Sequence, residues 1–289
     1  MTASPGPQSG SVTGPDPIAG ITSPGGRSSG KGAPSPDAPV YFLADAHLGI
    51  EPDEREASKA RDIVSLLAHL EGRASSLYLV GDLFDFWFEY PWVEPTEHLD
   101  VMSAIARLAD SGTDVVFLGG NHDYWAGPKL ARLSHASVHR TPVTTSHFDR
   151  RLFIAHGDGL PEGDRKYKVL RAVLRSRVAI AGFTLIPPRI GAAIARWASN
   201  LSEITDERIE RAIPAMRRFL ELKLAQGYDV VVVGHIHRQM VWESDGGTAV
   251  VVGDWMEHRS VIEMTADGLR PLRWTGDSLV EEPRGAPHQ

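Results

Sequence analysis

The 289-residue sequence contains no cysteine. It therefore cannot form disulfides, thiolate zinc sites or a cysteine nucleophile, and any metal site must use nitrogen and oxygen ligands. The sequence also lacks an apolar run of about 20 residues, so we expect no membrane-spanning helix. Its first residues lack the charged-then-apolar order of a signal peptide. The formal net charge of -7 argues against general nucleic-acid binding.

Apolar side chains are scarce at both ends of the chain. Residues 1–39 are rich in Pro, Gly, Ser and Thr, with Ile18 and Ile21 as a weak apolar pair. Such a segment buries too little surface to offset the entropy lost on ordering. We therefore expect residues 1–39 to be a disordered tail and residues 281–289 to behave in the same way. Residues 40–280 are long enough to form one domain with a sizeable core.

Strand-like and helical segments alternate in this region. Apolar runs predict strands at residues 40–44, 77–80, 114–118, 151–155 and 229–233. Helical spacing of apolar residues predicts helices at residues 54–71, 97–111 and 205–226. This alternation is typical of a parallel sheet. Turn residues at 245–247 and 267–268 predict two hairpins, which we expect to form an antiparallel sheet packed on the parallel one.

Every predicted parallel strand is followed at once by potential metal ligands. They are Asp45, His47, Asp82, Asn121, His156, His235 and His237. Open α/β sheets place ligands at the carboxyl ends of their strands. Residues i and i+2 of an extended chain point the same way, so Asp45 and His47 should converge, and His235 and His237 should offer two imidazoles on one side. One such residue alone would be a turn residue, but five strand ends of this kind predict a metal centre.

The ligand types indicate the chemistry. Mixed imidazole and carboxylate ligands suit Mn, Fe or Zn better than Mg or Ca. Two divalent ions about 3.5–4 Å apart could share one carboxylate and activate one water for in-line attack on a phosphoryl group. His122 is the candidate proton donor to the leaving oxygen, and we expect the adjacent Asp123 to orient its imidazole as part of the catalytic pair.

Two further features each have two interpretations. The aromatic cluster within residues 84–92 is either core packing or a wall of a substrate cleft. Between the fourth and fifth strands, residues 164–177 are basic and residues 178–197 are strongly apolar. This insertion, at about residues 160–204, is either a helical cap with its own small core or a lid. A lid would place its apolar face against a lipid tail or membrane surface, with arginines near phosphate groups.

The order of motifs D-x-H, G-D-x-x-D, G-N-H-D, H-G-D and G-H-x-H resembles that of the calcineurin-like metallophosphoesterase superfamily, over roughly residues 40–274. The resemblance implies an α/β fold, a four-layer αββα sandwich, here with the helical insertion. It also implies two sets of metal ligands that share Asp82. The first set is Asp45, His47, Asp82 and His237; the second is Asp82, Asn121, His156 and His235. Asp85 would support these ligands, and His122 would face the scissile phosphate.

Within the superfamily, the chain resembles the UDP-2,3-diacylglucosamine pyrophosphohydrolases of lipid A synthesis. The residues that carry this resemblance are 79–87 and 156–158, together with the position of the insertion. It implies a two-metal hydrolase, with Mn²⁺ as the expected metal, that produces lipid X and UMP. The implied substrate contacts are Asn121, His122, Asp164, Tyr167 and His235. It also implies peripheral contact with the cytoplasmic face of the inner membrane; the oligomeric state is left open.

His122 is a departure from this narrower family. The best-known members have Arg at this position, whereas other branches read Gly-Asn-His-Asp as this chain does. An alternative hypothesis is therefore a soluble metal-dependent phosphodiesterase or phosphatase that acts on nucleotides or other phosphoesters. A third hypothesis is a metal-binding scaffold without turnover, which would predict a lost ligand or the loss of His122. The sequence retains all of them.

Overall fold

The computed structural model describes residues 34–49, 53–159 and 206–283, and residues 173–194 apart from 174, 189 and 192. Most of the predicted N-terminal tail lies outside these residues, as do the predicted substrate contacts Asp164 and Tyr167 and parts of the insertion. The C-terminal strand includes Glu281, one residue beyond the predicted end of the domain. Among the described residues, no helix combines the length and apolarity needed to cross a bilayer.

The described strands form two sheets. The larger sheet contains β1 (Val40–Leu43), β2 (Ser76–Val80), β3 (Asp114–Leu118), β4 (Ser137–His139), β10 (Ser260–Thr265), β11 (Gly268–Trp274) and β12 (Leu279–Glu281). The smaller sheet contains β5 (Val143–His147), β6 (Arg150–Ala155), β7 (Val230–Val233), β8 (Met240–Ser244) and β9 (Gly247–Val251). Their strand orders are β12-β11-β10-β1-β2-β3-β4 and β5-β6-β7-β9-β8.

Five described helices flank the sheets. They are α1 (Asp53–Leu70), α2 (Leu99–Asp110), α3 (Pro128–Ser134), α4 (Arg177–Phe183) and α5 (Asp206–Ala225). Alternate residues of each strand face opposite sides of its sheet. In β1, Leu43 joins the core that contains the buried residues of α1 and α2, whereas Phe42 joins the core between the sheets. On the outer face of the smaller sheet, Leu220 of α5 packs in one cluster with Val231. The layers are thus helix, sheet, sheet and helix, which confirms the predicted αββα sandwich.

The grouping of strands differs from the prediction of a single parallel sheet. The strands β1, β2 and β3 are parallel neighbours in the larger sheet, whereas β6, β7 and β9 are parallel neighbours in the smaller one. The predicted hairpins exist, but they do not form a sheet of their own. The hairpin β8–β9 extends the smaller sheet, and β10–β11 extends the larger one by antiparallel pairing with β1. An apolar run indicates a buried strand without identifying its partner, because strand pairing is a long-range choice.

Candidate metal centre

The chain turns sharply where β1, β2 and β7 end. Residues there have φ values in the left-handed region, which L side chains seldom adopt. They are Asp45 (52°), His47 (44°), Asp82 (51°), His235 (72°) and His237 (48°). The carbonyl oxygens of Gly81 and Asp82 accept hydrogen bonds from the N–H groups of Asp45 and His47. These loops are therefore strained and are joined by backbone hydrogen bonds. The prediction assumed extended backbone, but left-handed backbone directs the side chains instead.

One group of potential ligands consists of Asp45, His47 and His237, whose ligand atoms lie within 4.8 Å of one another. The Nε2 atoms of His47 and His237 are 3.3 Å apart, and His237 Nε2 is 3.7 Å from Asp45 Oδ1. Asp45 Oδ1 is buried and accepts no hydrogen bond from the described residues. A buried carboxylate oxygen without a donor, next to two converging imidazole nitrogens, fits a divalent cation.

A second group consists of Asp82, His156 and His235. His156 Nε2 lies 3.1 Å from Asp82 Oδ2 and 3.1 Å from Asn121 Oδ1. The other ring nitrogen, Nδ1, donates a hydrogen bond to the Val80 carbonyl at 2.9 Å, which directs Nε2 towards the cluster. Asp82 Oδ2 is also 3.9 Å from His47 Nε2 of the first group. Asp82 thus lies between the two groups, and the mixed donors again suit a divalent metal.

His235 and His237, predicted to offer two imidazoles on one side, both reach the centre but are divided between the two groups of potential ligands. His237 belongs to the group with Asp45 and His47, whereas His235 belongs to the group with Asp82 and His156. Both residues have positive φ, so the backbone rotates between them and the two-residue repeat of a strand does not apply. One short segment after β7 therefore supplies a ligand to each group.

The orienting partner predicted for His122 also needs correction. His122 Nδ1 lies 3.0 Å from the Asp85 carbonyl oxygen and 3.2 Å from Asp85 Oδ1, so Asp85 orients the imidazole. The carboxylate of Asp123 instead accepts backbone hydrogen bonds from Gly120 at 2.7 Å and from Leu83 at 2.8 Å. Asp123 is completely buried and ties the loop after β2 to the loop after β3. Adjacent residues in a tight turn direct their side chains differently, so the adjacency of His122 and Asp123 in the sequence does not mean that their side chains interact.

The buried charges of the centre determine which imidazoles hold protons. Burial by itself lowers the pKa of His156, but the carboxyl groups of Asp82, Asp45 and Asp158 together outweigh burial and raise it to about 10. The pKa of His122 is likewise lowered by burial and raised more strongly by Asp82 and Asp85, to about 9. Burial and neighbouring imidazoles lower the pKa of His235 to about 4 and that of His237 to about 3. These values favour protonated His156 and His122 and neutral His235 and His237 at neutral pH.

Arg175 is a residue at the site that sequence reasoning did not single out. Its guanidinium donates to Asp158 Oδ2 at 2.8 Å and to the Gly120 carbonyl at 3.2 Å. It also lies 3.8 Å from the centre of the Tyr124 ring. Arg175 therefore connects the predicted insertion to the loops after β3 and β6. The basic composition of residues 164–177 was the available signal, but it does not distinguish this arginine from its neighbours.

Comparison with known proteins places the chain in a family. The sequence profile of the calcineurin-like phosphoesterases matches residues 38–239. The chain belongs to the calcineurin-like phosphoesterase family, as its motif order predicted. It is a metal-dependent hydrolase of the metallophosphoesterase type, and the clustered ligands suit divalent ions.

The chain is also similar to individual known proteins. A Porphyromonas gingivalis protein named UDP-2,3-diacylglucosamine hydrolase is 26% identical over 262 residues, covering 84% of this chain and 96% of its own. A Neisseria meningitidis protein of the same name is 27% identical over 233 residues, covering 80% of this chain and 95% of its own. Among solved structures, one described as a novel archaeal phosphodiesterase is 12% identical. It covers 84% of this chain and 99% of its own, with a TM-score of 0.44.

Metal binding to this centre is expected to release protons. His156 is protonated at neutral pH in the metal-free protein because its pKa is about 10, and a metal ligand nitrogen must be unprotonated. We expect about one proton released when the group with Asp82 and His156 is filled. The affinity of that group for Mn²⁺ should fall about tenfold for each unit the pH is lowered below 8. Calorimetric titration of metal-free protein in two buffers of different ionisation enthalpy measures the proton count, and a pH-independent affinity would contradict the expectation.

Proposed function

We propose that this enzyme hydrolyses the pyrophosphate bond of UDP-2,3-diacylglucosamine, giving 2,3-diacylglucosamine 1-phosphate (lipid X) and UMP. The observation that carries the proposal is the match to relatives of that name along 96% and 95% of their own lengths. The described residues form three overlapping groups of potential ligands, one of which contains His122 beside His47 and Asp82. The other two support the proposal, because pyrophosphate cleavage at neutral pH is well served by paired ions. The substrate would be a lipid-linked UDP sugar, which assigns the enzyme to lipid A synthesis.

We propose that two ions are held by ligand sets that share Asp82. The first set is Asp45, His47, Asp82 and His237; the second is Asp82, Asn121, His156 and His235. Divalent ions bound there would supply Lewis acidity to a water nucleophile and to the phosphoryl oxygens. Mn²⁺ is the proposed metal, with Fe or Zn as alternatives, because the ligands mix imidazole with carboxylate and amide oxygen.

His122 is the proposed catalytic residue. Its imidazole is oriented by Asp85 through Nδ1 and is only partly buried, so its other nitrogen can meet a phosphoryl group. The attacking water forms a bond to phosphorus as the bond to the bridging oxygen breaks. A protonated His122 would then offset the charge that develops on that oxygen, or donate its proton to it. Asn121 and His235 are proposed to contact the same phosphate, and Asp164 and Tyr167 remain predicted substrate contacts.

The insertion is proposed to be a lid on the domain of residues 40–280 that receives the acyl chains. Its described part exposes large apolar side chains, including Val178 and Leu185, each with 82% of its surface accessible, and Ile190 with 53%. Arg175 holds this part against the loops of the metal centre. Exposed apolar surface of this kind, in a segment whose sequence is rich in arginine, suits a bilayer with anionic headgroups. We therefore propose peripheral contact with the cytoplasmic face of the inner membrane.

The substrate proposal can be tested by a direct comparison of two reactions. Enzyme supplemented with Mn²⁺ should release UMP rapidly from UDP-2,3-diacylglucosamine in mixed micelles and cleave bis-p-nitrophenyl phosphate weakly. The reason is that only the lipid substrate uses the insertion. Rapid cleavage of the model ester without UMP release would instead favour the alternative, a soluble phosphodiesterase or phosphatase. No turnover of either substrate by metal-loaded protein would favour a binding scaffold.

Replacement of His122 should separate catalysis from metal binding. We expect His122→Ala to lower kcat for UMP release by about 10²- to 10⁴-fold, the range typical of a lost general acid. Its metal content, measured by plasma mass spectrometry, should stay at the wild-type level because His122 is outside the proposed ligand sets. His135→Ala is the matched control, since His135 is exposed and pairs with Asp110 on the surface. Wild-type turnover in His122→Ala would remove His122 from the mechanism.

Membrane contact should depend on the exposed apolar residues of the insertion. We expect Leu185→Glu to reduce co-sedimentation with vesicles of phosphatidylglycerol and phosphatidylethanolamine several-fold, because a charge is excluded from the acyl region. Leu222→Glu is the control, since Leu222 is exposed on α5 and outside the insertion. Equal co-sedimentation of the wild-type protein and both variants would show that the insertion does not form the membrane contact.

A further inference from the structure

Lys59 is an unusual residue in this fold because its side chain is buried. Only 2% of its surface is accessible. Lysine is seldom fully buried unless its ammonium group is paired, since removing the charge from water is costly. Here Nζ donates to the carbonyl oxygens of Ala46 at 3.2 Å and His47 at 3.0 Å, and it lies 3.3 Å from Glu56 Oε2. The ammonium group of Lys59, a residue of α1, thus binds the loop that follows β1.

That loop carries the proposed ligands Asp45 and His47. Both residues have left-handed φ values, so the segment must be stabilised from outside. Its N–H groups are fixed by carbonyls of the loop after β2, and the Asp45 carbonyl accepts a hydrogen bond from the Trp255 N–H at 3.1 Å. The next two carbonyls along the chain are those that Lys59 binds. Lys59 therefore provides hydrogen bonds to buried carbonyls that strained backbone directs away from any sheet ladder.

An apolar side chain would fill the same space without the cost of burying a charge. A buried cation close to a site for divalent cations is also electrostatically unfavourable for metal binding, although Glu56 offsets part of its charge. Both costs are acceptable only if the ammonium performs a task that a neutral side chain cannot. Holding two adjacent carbonyls at once is such a task, because an ammonium group offers three donors from one atom.

We propose that Lys59 is a positioning residue for the first ligand group. By fixing the carbonyls of Ala46 and His47, it sets the geometry in which the side chains of Asp45 and His47 converge with that of His237. The residue contacts neither substrate nor metal in this role and acts through the backbone. This inference rests on the ligand set proposed above. It adds to the centre a residue from α1, whereas the proposed ligands all follow strands.

Metal binding to metal-free protein provides the test. In calorimetric titration with Mn²⁺, Lys59→Met should bind one ion at least tenfold more weakly than wild type, while the affinity of the second ion changes by less than threefold. Electron paramagnetic resonance of the bound Mn²⁺ should show loss of the coupled pair at equal metal loading. Lys59→Arg keeps the charge and the donors, and we expect an intermediate loss at the same site.

Lys129→Met is the matched control. Lys129 also donates to backbone carbonyls, those of Tyr90 at 2.7 Å and Val93 at 2.6 Å, but this loop carries no proposed ligand. Its replacement should lower thermal stability and leave both Mn²⁺ affinities unchanged. If Lys59→Met does not fold, Lys59→Arg decides: wild-type affinity for both ions in the folded Lys59 variant would overturn the inference. A wild-type protein that binds fewer than two ions would instead contradict the ligand sets, so the two failures are distinguishable.

Discussion

Face-to-face packing of the two sheets is the constraint on which the metal centre depends. Phe42 of β1 and Tyr78 of β2 stack with ring centres 5.3 Å apart, and both lie in one core with Ile154 and Val232 of the smaller sheet. This packing aligns strands of different sheets so that their carboxyl ends meet at one edge. The group with Asp45, His47 and His237 and the group with Asp82, His156 and His235 each combine residues from both sheets. The mixed ligand groups exist because the buried surface between the sheets fixes their relative position.

The geometry at that edge is obtained at the expense of backbone strain. Five potential ligands have left-handed φ values, and such conformations are retained only where surrounding contacts enforce them. The buried carboxylate of Asp123 supplies several of these contacts by binding backbone N–H groups of two loops. Glycine provides the space: a Cβ at Gly120 would lie 2.1 Å from Asp82 Oδ1, and one at Gly81 would lie 2.4 Å from His156 Nδ1. The left-handed backbone of the ligand loops therefore depends both on the hydrogen bonds to Asp123 and on the close approach that Gly120 and Gly81 allow.

Local pattern was sufficient to locate the strands and their polar ends, because apolar runs and the residues that follow them are contiguous in the chain. It was insufficient where the outcome depends on distant segments. The division of β1 and β6 between two sheets, and the pairing of β10 with β1, follow from packing across more than a hundred residues. The same limit explains why Asp85 rather than Asp123 orients His122, and why Arg175 and Lys59 were missed. Arg175 and Lys59 both donate to backbone carbonyls of loops elsewhere in the sequence, and such contacts produce no periodic pattern in the sequence.

The charge balance of the centre follows from the carboxylates and imidazoles that it buries together. Asp45 and Asp82 are both buried. Burial raises the pKa of the Asp45 carboxyl well above its usual range, whereas His156 and His122 outweigh burial at Asp82 and hold the pKa of that carboxyl well below it. Asp82 holds protons on His156 and His122 by raising the pKa of both side chains. These imidazolium groups compensate the charge of the Asp82 carboxylate. Because His235 and His237 stay neutral beside them, their lone pairs remain available. A divalent ion bound at His156 would take over the compensation of Asp82 from the proton on that imidazole, whereas His122, outside the proposed ligand sets, would keep its proton for the leaving oxygen.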